Sequence, residues 1–163
     1  MEDSSPLEVP PIPEKPKSFS FAVVVILGIL VVAAVSVYSW YAVYGPCSRR
    51  VVKSTSIALI DQANAFEAAY QSASSATPIG LIGAVTHMEQ TLWDTREVAV
   101  PACMQGARNE LTISMESAIR AYLGIMTQER EEKMKKLMAD SESHLENFVS
   151  ELETVNRCAP FCL

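Results

Sequence analysis

One continuous apolar stretch near the N-terminus, from Phe19 to Tyr44, most constrains what this chain can fold into. It reads FSFAVVVILGILVVAAVSVYSWYAVY and contains no Asp, Glu, Lys, Arg or His. As an α-helix it would reach roughly 39 Å at about 1.5 Å per residue, enough to cross a hydrocarbon core of about 30 Å. A buried core helix that is apolar on every face would need a much larger protein around it. The stretch therefore predicts a membrane-spanning helix over residues 19–44.

Two sets of residues within this stretch are typical of membrane helices. Aromatic rings near its ends suit the headgroup level of a bilayer. The predicted interface residues are Phe19, Phe21, Tyr38, Trp40, Tyr41 and Tyr44. Small residues permit close approach of a second helix, although they are also common in membrane helices in general. The predicted helix-packing residues are Gly28, Ala33, Ala34 and Ser36. We expect contacts with the lipid bilayer and with other integral membrane proteins.

A cleaved signal peptide is the main alternative for this segment. The apolar run is longer than the usual core of a signal peptide, and the bulky residues 38–41 make a poor cleavage site. A lipoprotein signal needs a small residue before the modified cysteine, but Pro46 precedes Cys47. We therefore expect an uncleaved anchor.

Residues 1–18 form a proline-rich segment that precedes the anchor. The segment holds five prolines, four acidic residues and two lysines, and it has too few apolar side chains to bury a core. An extended conformation with polyproline character is expected. Two interpretations stay open: a solvated tail, or a preformed extended peptide that lies along a partner.

The orientation of the anchor rests on two observations that disagree. Lys15 and Lys17 precede it, whereas Arg49, Arg50 and Lys53 follow it, so the count of positive residues does not favour a cytosolic N-terminus. The distribution of cysteines does favour a cytosolic N-terminus. All four cysteines lie after the anchor, and an even number on one side suggests disulfides in an oxidising compartment. We expect a cytosolic N-terminus and an extracytoplasmic C-terminal domain, periplasmic or extracellular.

The sequence of residues 45–163 predicts an all-α domain. Prolines occur there mainly at helix boundaries, no alternating strand pattern is present, and apolar residues recur at helical spacing. Thr77 and Pro78 are typical of an N-cap and a first helical position. The expected inward positions are Val52, Leu59, Phe66 and Ala73; then Leu81, Val85, Met88, Leu92 and Ala99; then Leu111, Met115, Ala118, Tyr122 and Ile125; then Met134, Leu137, Leu145, Phe148, Leu152 and Val155. We expect an up-down bundle of three to four helices.

The apolar pattern pauses at residues 127–133, and this pause leaves two structures open. Either a turn near residues 124–129 separates two helices, or one continuous helix has a solvated middle. A single helix over residues 102–156 would span roughly 80 Å and carry Cys158 far from Cys103. Disulfide geometry requires Cα atoms within about 7 Å, which favours the turn.

In an up-down bundle all four cysteines lie at the membrane-proximal end. Four cysteines allow three pairings. We expect Cys103 to pair with Cys158, and Cys47 with Cys162. Unpaired thiols in a cytosolic domain are the alternative.

No motif for catalysis, metal binding or haem attachment stands out. Cys158 and Cys162 are separated by three residues with no following histidine, and His87 and His144 are expected at the surface or its boundary. The net charge of −6 and the pI near 4.9 disfavour nucleic acid as a partner. We expect no cofactor, no metal and no enzymatic activity.

Two hypotheses about function follow from these features. The first is a structural or accessory subunit of a larger membrane protein complex, which uses its membrane helix, proline-rich tail and bundle as contact surfaces. The second is an extracytoplasmic ligand-binding sensor or receptor domain, which would need polar groups inside the bundle. The candidates near the apolar stripes are Arg96, Arg120 and Glu89.

Overall fold

The computed structural model describes residues 21–159, and within this range the chain is helical, with no strand. The helices are α1 (Phe21–Tyr44), α2 (Arg49–Ser74), α3 (Pro78–Glu97), α4 (Gln105–Met126) and α5 (Glu131–Cys158), and one turn of 3₁₀ helix (Ala102–Met104) precedes α4. The all-α prediction is confirmed for this range. The predicted proline-rich tail, the predicted interface residue Phe19 and the predicted disulfide residue Cys162 lie outside the described residues.

Helix α1 is apolar on every side and carries no acidic or basic residue. Every side chain described in it is exposed except that of the half-buried Ala42. Within residues 21–159 it is the one helix long and apolar enough to cross a membrane. An apolar surface of this extent is unfavourable in water and is the normal surface of a helix in lipid.

Helices α2 to α5 pack into a helical bundle whose successive members run antiparallel. At one end Arg49 Nε donates a hydrogen bond to the carbonyl oxygen of Ala159 at 3.2 Å, which joins the start of α2 to the end of α5. Towards the other end the Tyr70 hydroxyl lies 3.6 Å from Sδ of Met138, near the start of α5. Short connections of three to seven residues explain this up-down arrangement.

One hydrophobic core runs through the bundle, and most of the predicted inward positions belong to it. Buried residues predicted from the periodicity are Val52, Leu59, Phe66, Ala73, Leu81, Val85, Met88, Leu92, Leu111, Met115, Ala118, Tyr122, Phe148, Leu152 and Val155. Three positions were predicted wrongly, and one of them, Leu145 of α5, is exposed beside α2. Ala99 is exposed because α3 already ends at Glu97, and Ile125 is exposed in the last turn of α4.

The pause at residues 127–133 is a turn between α4 and α5. Gln128 adopts a left-handed conformation with φ of 55°, and the N–H of Glu129 donates to the carbonyl oxygen of Gly124 at 2.9 Å. Glycine usually takes the left-handed position that follows a helix, and glutamine rarely does. The sequence therefore carries no glycine that would mark the end of α4. Before α3, Thr77 is the predicted N-cap, and its hydroxyl accepts a hydrogen bond from the N–H of Gly80 at 3.4 Å.

A disulfide joins Cys47 to Cys103, with Cα atoms 6.3 Å apart. The predicted pairs Cys103–Cys158 and Cys47–Cys162 are therefore wrong. Cys47 precedes α2 and Cys103 lies in the 3₁₀ turn before α4, so both occupy connections at the same end of the bundle. Cys158 is also disulfide-bonded.

Candidate functional site

A groove between α2 and α5 forms a concave, largely apolar surface on the bundle. Helix α5 packs along α4, and α2 packs along α3, whereas α2 and α5 meet at far fewer positions. The space left between them has a volume of about 550 Å³. Its lining residues are Ile60, Ala63, Asn64, Phe66, Glu67 and Tyr70 of α2, Leu111, Ser114 and Met115 of α4, and Met138, Ser141, Glu142, Leu145, Phe148 and Val149 of α5.

The floor of the groove is part of the core, and its rim is exposed and aliphatic. Phe66, Leu111 and Phe148 are buried at the bottom. On the rim, Ile60 is 43% exposed, and Leu145 and Val149 are 40% and 49% exposed. The predicted inward position of Leu145 was wrong in this respect, because Leu145 borders the open groove and is not covered by α2.

A cluster of aromatic and sulfur-containing side chains closes the groove near the end of α2. The Tyr70 hydroxyl contacts Met138 across the groove, and the Tyr70 and Tyr122 rings meet edge to face with centroids 5.4 Å apart. The Tyr122 hydroxyl donates to the carbonyl oxygen of Tyr70 at 3.4 Å. Burial, with a smaller contribution from Tyr70, raises the pKa of Tyr122 to about 12, so its phenol stays neutral at physiological pH.

The polar groups on the floor bond to each other. The hydroxyl of Ser114 donates to the carbonyl oxygen of Ser141 at 2.8 Å and lies 3.1 Å from the Ser141 hydroxyl. These bonds join α4 to α5 and leave an apolar floor around them. Further along the same interface, Glu110 Oε2 lies 2.7 Å from Nδ1 of His144 and accepts a hydrogen bond from Nδ2 of Asn147 at 3.3 Å.

The charged side chains at the groove all carry negative charge. Its charged lining residues are Glu67 on α2 and Glu142 on α5, and no lysine, arginine or histidine of residues 21–159 lines it. Both carboxylates are exposed and lie on opposite walls. The groove is therefore apolar inside, and its opening carries the carboxylates of Glu67 and Glu142, which together form its acidic mouth.

The residues predicted for the sensor hypothesis do not meet in this groove. Arg96 bonds to Glu116 at 2.5 Å between α3 and α4, and Arg120 lies 3.4 Å from the same carboxylate. Glu89 is exposed on α3. His87 is exposed as well, and in residues 21–159 no group of three His, Cys, Asp or Glu residues is placed to hold a metal ion.

The predicted membrane-helix residues are exposed where the structure describes their side chains. No atom would touch a Cβ placed on Gly28, and the Ser36 hydroxyl donates within the helix to the carbonyl oxygen of Val32 at 2.8 Å. Ala33 and Ser36 lie on one face of the helix because they are three residues apart, and Ser36 is about 80° from Gly28, whereas Ala34 lies at least about 100° from all three. A role of all four in one helix contact stays a prediction.

The predicted aromatic residues near the end of α1 are likewise exposed. Tyr38, Trp40, Tyr41 and Tyr44 present between 48% and 72% of their surface, and the Trp40 and Tyr44 rings lie 6.2 Å apart. The side chain of Phe21 lies outside the described part of the structure. Their placement at a membrane interface stays a prediction.

Neither the groove nor the residues at its opening were predicted from the amino-acid sequence. Ile60, Glu67 and Val149 lie beside the predicted stripes, and nothing in the periodicity distinguishes them from ordinary flanking positions. Comparisons with known proteins add no further guidance, since no family model, no curated protein and no solved structure matches this chain.

Proposed function

We propose that this chain is a non-catalytic, single-pass membrane protein that acts as a structural or accessory subunit of a larger membrane protein complex. The observation that carries the proposal is the surface of α1, which is apolar on all sides and exposed along its described length. In a bilayer such a helix is free to pack against lipid and against other membrane helices.

The orientation in this proposal places the bundle outside the cytoplasm and the N-terminus in the cytosol. The disulfide between Cys47 and Cys103 supports it, because disulfides persist in oxidising compartments and are rare in the cytosol. The proposed partners are other integral membrane proteins, which would contact α1, the bundle and the proline-rich residues 1–18.

A second candidate function, an extracytoplasmic sensor that binds a small molecule, is favoured by one observation. The groove between α2 and α5 has a volume of about 550 Å³ and an apolar lining, which is the size range of ligand pockets. Binding would raise the thermal stability of the chain by mass action. A broad metabolite screen by thermal shift tests this alternative, and a screen without any shift would weigh against it.

The accessory-subunit proposal is tested by co-purification from mildly solubilised source membranes. Gly28→Leu adds bulk to α1, and deletion of residues 1–17 removes most of the proline-rich segment. Each change should weaken association with larger partners, while the circular dichroism and melting of the bundle stay unchanged. Ile82→Leu, an exposed change on α3, is a matched control. Undiminished co-purification of both altered chains would contradict the proposal.

A further inference from the structure

Several acidic groups of the bundle form ion pairs with cationic side chains, and the two carboxylates at the groove do not. Elsewhere on α5, Glu131 lies 2.7 Å from Lys135 and Glu153 lies 3.0 Å from Arg157. Glu67 accepts a hydrogen bond from the Gln71 amide of its own helix at 2.9 Å. Among residues 21–159, neither Glu67 nor Glu142 forms an ion pair with an arginine, lysine or histidine. An occupant of the groove would therefore gain from carrying positive charge on both sides.

The dimensions of the groove match a helical segment. Its α2 wall extends from Ile60 to Tyr70, eleven residues whose ten rises correspond to about 15 Å or nearly three helical turns. Along this length the rim leaves Ile60, Leu145 and Val149 substantially exposed. A small molecule seated on the floor would leave these aliphatic side chains in water, whereas an amphipathic helix laid along the groove would cover floor and rim together.

We propose that the groove between α2 and α5 binds an amphipathic helix of a partner protein, with apolar side chains at three- to four-residue spacing on the groove and Lys or Arg residues facing Glu67 and Glu142. This inference rests on the proposed function, because it gives the chemistry of one contact between the subunit and its complex. The helix adds a fifth member beside α2 and α5 and buries the rim.

Site-specific photo-crosslinking in the source membranes tests the proposal with the full chain. Benzoylphenylalanine is placed at Val149 on the rim and, as a matched control, at Ile82, an exposed aliphatic residue of α3 that does not line the groove. We expect a crosslinked product from Val149 and not from Ile82. Mass spectrometry of that product should identify a peptide with helical apolar spacing and at least two flanking Lys or Arg residues.

Reversing the charges of Glu67 and Glu142 tests separately whether these two carboxylates attract the partner helix. Glu67→Lys combined with Glu142→Lys should lower the yield of the Val149 product about tenfold, because two attractive contacts become repulsive. The control is Glu89→Lys combined with Glu97→Lys, which makes the same change of charge at exposed positions on α3. The control should leave the yield within about twofold, and both doubly substituted chains should show unchanged circular dichroism.

The outcomes separate this inference from the proposed function. If the chain migrates with a larger assembly but Val149 gives no product, or gives one with lipid, a second copy of this chain or an acidic peptide, the groove inference fails and the accessory-subunit proposal stands. Equal loss of yield in both charge-reversed chains would also overturn the inference. If the chain migrates alone, the proposed function fails and this inference fails with it.

Discussion

Gly45, just after α1, occupies a position that fits only glycine. Its N–H donates to the carbonyl oxygen of Tyr41 at 2.8 Å, and a Cβ at this position would clash with that same oxygen. The two nearest atoms, the carbonyl oxygen and carbon of Tyr41, belong to the backbone and cannot rotate away. Gly45 therefore defines how the chain leaves α1 towards Cys47, two residues later.

Replacing Gly45 with alanine should lower the free energy of unfolding by about 1–3 kcal/mol, because the added methyl group displaces backbone. Gly83→Ala is the matched control, since a Cβ there meets open space on the surface of α3. Alanine at that position should raise stability by up to about 1 kcal/mol. Urea unfolding of the full chain in an uncharged detergent measures both, and equal effects would contradict this account of Gly45.

The raised pKa of Tyr122 leads us to expect that the folded chain loses stability at alkaline pH. Its pKa is raised to about 12 in the folded chain from an ordinary value near 10, so the folded state holds this proton more tightly than the unfolded state. Its contribution to stability is complete below pH 10 and is lost as the pH rises from 10 towards 12. Tyr122→Phe should show a shallower fall of unfolding free energy between pH 10 and 12. Parallel curves for the two chains would show that Tyr122 does not carry this dependence.

At the scale of elements, the connection between α4 and α5 is under local strain at Gln128. Its φ of 55° lies in the left-handed region, which costs residues other than glycine about 1–2 kcal/mol. Glycine removes this cost but loses more entropy on folding.

We expect Gln128→Gly to raise the free energy of unfolding by about 0.5–1 kcal/mol. Gln90→Gly, at an exposed position within α3, should lower it by about 1 kcal/mol. Thermal unfolding of the two altered chains measures the difference. Destabilisation by both changes would show that the turn gains nothing from glycine at residue 128.

The four helices after α1 were largely predictable, and the exceptions have physical causes. The α2 stripe of Val52, Leu59 and Phe66 is buried as expected, since helical periodicity identifies the apolar face. Periodicity does not report how far apart two helices stand, so it placed Leu145 inside the bundle and did not reveal the groove. The helix boundary at residues 127–130 stayed ambiguous because Gln128, and not glycine, takes the left-handed position.

At the scale of the whole molecule, the disulfide between Cys47 and Cys103 constrains the fold across α2 and α3. It links residues 56 positions apart and ties the connection before α2 to the connection before α4. The sequence predicted that the cysteines gather at one end of the bundle. It could not select the pair, because four cysteines allow three pairings and the choice depends on the 3₁₀ turn that places Cys103.

Replacing both Cys47 and Cys103 with alanine should lower the free energy of unfolding by about 2–4 kcal/mol, since the unfolded chain regains the freedom that the closed loop removes. Guanidinium unfolding without reductant, compared with the unaltered chain, measures the loss. Peptide mapping under non-reducing conditions should recover the two segments as one linked species in the unaltered chain. Recovery of Cys47 linked elsewhere would contradict the pairing.

The measurement that tests the central proposal most directly is native electrophoresis of mildly solubilised source membranes, with mass spectrometry to find where the chain migrates. The exposed apolar surface of α1 and the open groove of the bundle lead us to expect migration with a larger assembly of integral membrane proteins. Migration as a monomer or a small homo-oligomer would contradict an accessory-subunit function and would turn attention to ligands of the groove.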